Sequence, residues 1–241
     1  MTEEKSSSSD SLYAEKLTKV QDFEFNEAVA QVFSDMVRRS VPGYETVVEL
    51  IGVISAAHSR IVGRPLRCVD LGCSRGTVTQ SLLTQLTHPE TQIVAIDNSE
   101  AMVKAAQNAI SDERATFLTQ NILQSEIKNV DVAVMNLVLQ FIEPDQRLTM
   151  LKKVREGLCD DGLFILTEKI QAGDEFVDYH HAFKRAKGYS ELEITQKRDA
   201  LEKVMIIDSL ETHQRRLKEA GFSQIVVWFR LLNWVSLLAR A

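Results

Sequence analysis

Cysteine, membrane-length apolar runs and positive charge are all scarce in this chain, and each scarcity narrows what the protein can be. Its three cysteines, Cys68, Cys73 and Cys159, are odd in number and lack metal-ligand spacing. Neither a disulfide framework nor a metal is expected, and reduced thiols point to a cytoplasmic location. No apolar run is long enough to span a membrane, and the first residues lack the charged-then-apolar order of a signal peptide. Lysine and arginine number 28 against 34 acidic residues, for a formal charge of -6. That balance argues against extensive phosphate-backbone contact, and so against stable nucleic-acid binding by this chain alone. There is no internal repeat. Only Met1 to Asp10, with its run of serines, is of low complexity, and residues 1–22 are expected to form a disordered or loosely packed tail. The whole is 44% hydrophobic over 241 residues, enough for one substantial core, so a single domain over 23–241 is the economical reading.

The most informative residues are Val69-Asp70-Leu71-Gly72-Cys73-Ser74-Arg75-Gly76, followed at strand spacing by Ile96-Asp97-Asn98-Ser99. The first stretch reads as the end of a buried strand, a tight glycine turn and the start of a helix. The second closes the next apolar run with an acid and an amide. Paired turns of this kind bind an adenosine-containing ligand: glycine lets the backbone approach closely, and the Asp97 carboxylate can accept both ribose hydroxyls. The alternative for Asp97 is a cap for the helix starting at Ser99, a role Asn98 could fill equally well. Asp70-Leu71-Gly72 resembles the first motif of the class I S-adenosylmethionine-binding fold, with Ser74 where that motif usually has another glycine.

The rest of the chain alternates. Helices are expected from Phe25 to Arg39, with Asn26 as cap, and from about Thr46 to Ile61, separated by the breaker Ser40-Val41-Pro42-Gly43-Tyr44. Strands are expected at Cys68 to Leu71, Ile93 to Ile96, Ala115 to Leu118, Val130 to Met135 and Leu163 to Thr167. Helices intervene at about Thr77 to Leu86, Ser99 to Ile110 and Gln146 to Gly157. A charged helical insert occupies about 171–207. A helix from Ser209 to Ala220 stops at Gly221, and strand-like runs at Gln224 to Phe229 and Trp234 to Ala239 finish the chain. The expected fold is α/β: a Rossmann-like class I SAM-dependent methyltransferase fold. Its mainly parallel seven-stranded sheet carries helices on both faces, with N-terminal helices and the helical insert added.

In an open parallel sheet the ligand lies beyond the carboxyl ends of the strands. That rule selects Gly72, Cys73 and Ser74 for the amino-acid end of the ligand and Asp97 with Asn98 for the ribose. Asn121 and Ile122 follow for the adenine, the Asn121 amide oxygen meeting the adenine amine, and Asn136 ends the fourth strand. Many proteins of this fold carry an acid where Asn121 stands. Taken alone, Asn121 is equally well a loop residue. Cys73 has no base beside it in sequence and reads as a small residue lining the turn. His180 and His181, adjacent on a helix, point in different directions and read as packing or surface residues.

A sharper resemblance lies outside the core. Phe33-Ser34-Asp35-Met36, Arg39 to Tyr44, Leu139-Gln140-Phe141, Phe183 to Ala186, Gly188 to Ile194, Gln196-Lys197-Arg198 and Glu211-Thr212-His213 resemble the carboxy-S-adenosyl-L-methionine synthase family. The likeness runs from about Phe23 to the end. It implies conversion of S-adenosyl-L-methionine and prephenate to carboxy-S-adenosyl-L-methionine and phenylpyruvate. The product would supply a separate tRNA carboxymethyltransferase that modifies the wobble uridine. The resemblance also implies a homodimer, with Arg198 clamping the new carboxylate and Tyr44 helping to close the site. An arginine suits that carboxylate and is poorly placed beside a bare sulfonium methyl. The alternatives are a conventional small-molecule methyltransferase and a non-catalytic scaffold subunit of the same fold.

Overall fold

The computed structural model describes residues 9–241. Seven strands form one sheet in the order β3-β2-β1-β4-β5-β7-β6: β1 (Arg67–Leu71), β2 (Gln92–Asp97), β3 (Ala115–Thr119), β4 (Val130–Asn136), β5 (Leu158–Lys169), β6 (Ser223–Leu231) and β7 (Trp234–Arg240). The first five are mutually parallel, and β7 runs antiparallel between β5 and β6. The expected fold class is the observed one.

Alternation along the strands decides which helices pack where. Val69, Leu71, Ala133, Met135, Phe164 and Leu166 face α5 (Arg147–Gly157) and α8 (Leu210–Glu219). Their neighbours Cys68, Val132, Val134, Leu163 and Ile165 face α2 (Tyr44–Val62) and α3 (Thr77–Gln85). Because both faces are covered, β4 is buried along nearly its whole length and is apolar without a break from Val132 to Met135. The strand β5 starts earlier than its apolar stretch suggests: Val130 pairs with Leu158 and Val132 with Leu163, so the register jumps across Cys159 to Gly162.

A third apolar cluster lies over the carboxyl ends of the strands. Here α1 (Glu27–Ser40), capped by Asn26 as expected, packs on Met102 of α4 (Glu100–Ala109) and Ala200 of α7 (Glu191–Leu201). The insert contains α6 (Asp174–Ala186) and α7, and a bridge between Ile170 and Asp208 joins its two ends. Arg147, fully buried, ties that junction to the sheet. It bonds Asp208 Oδ2 at 2.5 Å and the carbonyls of Ile142 and Ile206 at 2.8 Å.

The expected tail differs from what the structure shows where it is described. Residues 1–8 lie outside the described residues. Residues 9–22 form no helix or strand, yet they are pinned to α1 and α7. The buried Asp10 accepts a hydrogen bond from the Tyr189 hydroxyl, and its own N–H donates to Asp35 Oδ2 at 2.8 Å. Gln196 accepts from Leu17 N–H at 2.8 Å and donates to the Tyr13 and Glu15 carbonyls at 2.9 Å. A polar segment is held by side chains far away in sequence, which its own composition cannot reveal.

Candidate functional site

Between the carboxyl ends of β1, β2 and β4 and the roof of α1 and α7 lies a cavity of about 480 Å³. Its wall includes Tyr44, Gly72, Cys73, Ser74, Asp97, Asn98, Asn121, Ile122 and Asn136. Sequence reasoning singled out every one of these.

The turn after β1 is stitched to the end of β2. Gly72 and Cys73 donate their N–H groups to the Ile96 carbonyl at 2.8 and 2.9 Å. Ser74, itself left-handed with φ 49, donates its N–H to Asp97 Oδ2 at 2.9 Å. These three donors are therefore spent inside the protein, and the Ser74 hydroxyl bonds Met102 Sδ at 3.4 Å, so what the turn can offer a ligand is its carbonyl oxygens. Carbonyls suit an ammonium group. Gly72 has φ 78, and a Cβ there would stand 2.4 Å from Val138 Cγ2. Conformation and space both demand glycine.

Asp97 is not the helix cap. Ser99 caps α4, its side chain accepting from Met102 N–H. Asp97 instead uses Oδ2 for Ser74 N–H and Oδ1 for Ser99 N–H, both at 2.9 Å. The Asn98 N–H also draws on the carboxylate, which has about four lone-pair sites, so at least one remains for a ligand. Burial raises its pKa, against the pull of the backbone donors.

Asn121 is arranged differently from the expectation. Its amide oxygen accepts Leu123 N–H at 2.9 Å, closing its own loop, which leaves the NH2 as the free end. Ile122 is buried. Asn136 Oδ1 is buried with no hydrogen-bond partner among the described residues, and an orphaned acceptor in a cavity wall calls for a donor from a ligand.

Two buried acids hold the frame of the site: Asp70, read in the sequence as part of the glycine-turn motif, and Glu168, which sequence reasoning passed over. Asp70 accepts the Thr79 hydroxyl at 2.7 Å, tying β1 to α3, and burial pushes its pKa up to about 7. Glu168 accepts the N–H groups of Val138, Leu139 and Gln140 at 3.1, 2.8 and 3.0 Å, and burial pushes its pKa up to about 8. Glu168 thus holds the turn that places Val138 against Gly72. The signal for both lay in an acid within an apolar strand, where only a structural partner makes it tolerable.

Arg198 does not join the cavity of its own chain. Its side chain is 62% exposed and pairs with Asp199 at 3.0 Å. Its neighbour Lys197 lines the cavity instead, and sequence reasoning passed over it. Successive helix residues are turned by about 100°, so only one of the two can face in. Tyr44, at the start of α2, lines the wall, and burial pushes its hydroxyl pKa up to about 12. Burial likewise raises the Cys73 thiol, which suits a wall residue and not a nucleophile. His180 packs edge-on against Trp234 at 4.5 Å, with Nε2 2.8 Å from the Ser40 carbonyl. Among the described residues, no three His, Cys, Asp or Glu side chains group as a metal site.

Residues 69–164 match the family model of a methyltransferase domain. Human N-acetylserotonin methyltransferase in complex with SAM superposes with a TM-score of 0.60 at 15% identity, over 89% of this chain and 55% of that one. The plantazolicin methyltransferase BpumL, solved with a desmethylPZN analog and SAH, does so with a TM-score of 0.65 at 15% identity, over 86% and 89%. The fold is thus that of the SAM-dependent methyltransferases. Full-length relatives are more specific. The carboxy-S-adenosyl-L-methionine synthase of Stutzerimonas stutzeri is 46% identical, covering 95% of this chain and 97% of its own length. That of Pasteurella multocida is 40% identical over 95% and 98%. The chain belongs to the carboxy-S-adenosyl-L-methionine synthase family, and it is a SAM-dependent transferase enzyme.

Proposed function

We propose that this enzyme converts S-adenosyl-L-methionine and prephenate into carboxy-S-adenosyl-L-methionine, phenylpyruvate and water in the cytoplasm. A separate carboxymethyltransferase then uses the product on the wobble uridine of tRNA. One observation supports the reading beyond family membership: a single cavity is lined both by the polar strand-end residues Asp97, Asn98, Asn121 and Asn136, which suit a nucleoside, and by apolar residues that include Phe25 and Phe33. In the proposed pose Asp97 accepts the ribose hydroxyls and the carbonyls of the Gly72 turn receive the methionine ammonium. Asn121 and Ile122 take the adenine, and Asn136 Oδ1 receives a ligand donor.

The chemistry follows from the two substrates. Prephenate aromatises by losing its ring carboxyl as carbon dioxide and its hydroxyl as hydroxide. The sulfonium makes the attached methyl acidic. The methyl carbanion forms a C–C bond to carbon dioxide, while the released proton and hydroxide become water. The protein contributes orientation and exclusion of bulk water, which keep the gas and the carbanion together. Arg198 faces outward, which suits a clamp that serves the chamber of a second copy in a homodimer. Mass spectrometry of the small molecule released from purified protein tests the reading. S-adenosylmethionine plus one carboxyl is expected; S-adenosylhomocysteine with a methylated acceptor would replace the proposal by ordinary methyl transfer.

A further inference from the structure

Lys197 is the cationic side chain in the cavity wall, where the other charged residues are Asp97 and Glu143. Its side chain is only 7% exposed. An ammonium group has three donors. One of them goes to Ser40 Oγ at 3.1 Å, and Asp10 Oδ2 stands at 3.6 Å, within ion-pair reach but too far for a good hydrogen bond. That Asp10 oxygen already accepts the Tyr189 hydroxyl. Ser40, the last residue of α1, lines the same cavity. Lys197 therefore has donors to spare beside a wall that a ligand can reach.

The surroundings hold more positive than negative charge. Segment 9–22 contributes Asp10; α1 contributes the pair Arg39 and Asp35, bonded at 3.1 Å; α6 contributes Lys184 and His180; β5 contributes Lys169. Arg39 also lies over the Tyr189 ring. With Arg39 and Asp35 offsetting each other, Asp10 is the one carboxylate against Lys197 and Lys184, and Lys169 adds a further positive charge beside Lys184. Burying surplus cations is unfavourable unless an anion arrives to share them. Desolvation lowers Lys184 to about 7, with Lys197 and Lys169 adding to the effect, and lowers Lys197 to about 8 despite Asp10.

We infer that Lys197 Nζ and Ser40 Oγ form a carboxylate subsite inside the chamber. It is distinct from the outward-facing Arg198. Building on the function proposed above, the preferred occupant is a carboxylate of the acidic co-substrate. The amino-acid carboxylate of the sulfonium ligand has the same chemistry. Lys197 is a binding and positioning residue and takes no part in bond making.

The test is calorimetric, on the full chain. S-adenosylhomocysteine is titrated into wild type, Lys197→Met and Lys197→Arg, and prephenate is then titrated into each protein saturated with S-adenosylhomocysteine. Lys197→Met is expected to lose tenfold or more in prephenate affinity with little change for S-adenosylhomocysteine, and Lys197→Arg to recover part of it. A loss confined to S-adenosylhomocysteine keeps the subsite and reassigns its occupant. Wild-type prephenate affinity is also expected to weaken as pH rises from 7 to 9, so the subsite can be read even where a variant fails to fold. Changes below twofold for both ligands, or no prephenate binding by wild type with S-adenosylhomocysteine affinity unaltered by the variants, would overturn it. Prephenate binding without carboxylation would refute the proposed reaction and leave the subsite standing.

Discussion

Asp97→Asn separates the two jobs of one carboxylate. In the wild type its oxygens hold Ser74 N–H and Ser99 N–H, each at 2.9 Å, while the residue also lines the cavity. An asparagine keeps one oxygen, so its NH2 must meet one of those backbone donors. Leaving a buried N–H unmatched costs about 1–3 kcal/mol, or roughly 2–12 °C in Tm for a chain of this size. Relief of the buried charge offsets part of that. Ligand binding loses at least one charge-assisted bond, worth about 1.5–3 kcal/mol, so affinity for S-adenosylhomocysteine should fall by roughly 10- to 150-fold. Calorimetric titration and a thermal melt on the same sample measure both quantities. An affinity within twofold of wild type, in a protein that still melts cooperatively, would refute the ribose assignment.

Three further perturbations probe the scaffold. Gly72→Ala should destabilise by about 2–5 kcal/mol, from the left-handed backbone and the overlap with Val138. Val138→Ala in the same chain should return only the steric share, as urea unfolding would reveal; full recovery would contradict the backbone argument. Asp70 is the pH probe. Its folded pKa, about 7, lies above the ordinary 3.8, so the stability it contributes is complete below about pH 4 and is lost as pH rises through 7. Asp70→Asn should therefore gain on wild type between pH 4 and 7, by on the order of 4 kcal/mol; a pH-independent difference would contradict the buried-acid reading. Arg147→Met strands the Ile142 and Ile206 carbonyls, while that of Gln140 keeps Ile206 N–H at 2.9 Å, and it weakens the hold on Asp208, which Arg216 still contacts at 2.8 Å. A loss of about 3–5 kcal/mol is expected, and a loss below 1 kcal/mol in urea unfolding would contradict it.

Local chemistry was legible in the sequence, and long-range placement was not. The Gly72 turn and Asp97 sit at strand ends, where a glycine and an acid mean the same thing in most parallel sheets. Alternating apolar runs located all seven strands for the same reason. The direction of α7 was hidden because its inward face mixes Ile194 and Ala200 with Gln196 and Lys197, so hydrophobic spacing could not tell Lys197 from Arg198. Asp10 looked like part of a serine-rich tail because its partners, Tyr189 and Lys197, lie some 180 residues away. The start of β5 was missed because Cys159-Asp160-Asp161-Gly162 reads as a turn, although Leu158 before it already pairs with Val130.

Carbon tracing addresses the proposed reaction most directly. Purified enzyme is given unlabelled S-adenosyl-L-methionine and prephenate carrying carbon-13 in its ring carboxyl, and the adenosyl product is analysed by mass spectrometry. Label in a carboxyl group on the former sulfonium methyl, formed together with phenylpyruvate, is the expected result. An unlabelled adenosyl product, or S-adenosylhomocysteine with a methylated acceptor, would contradict it.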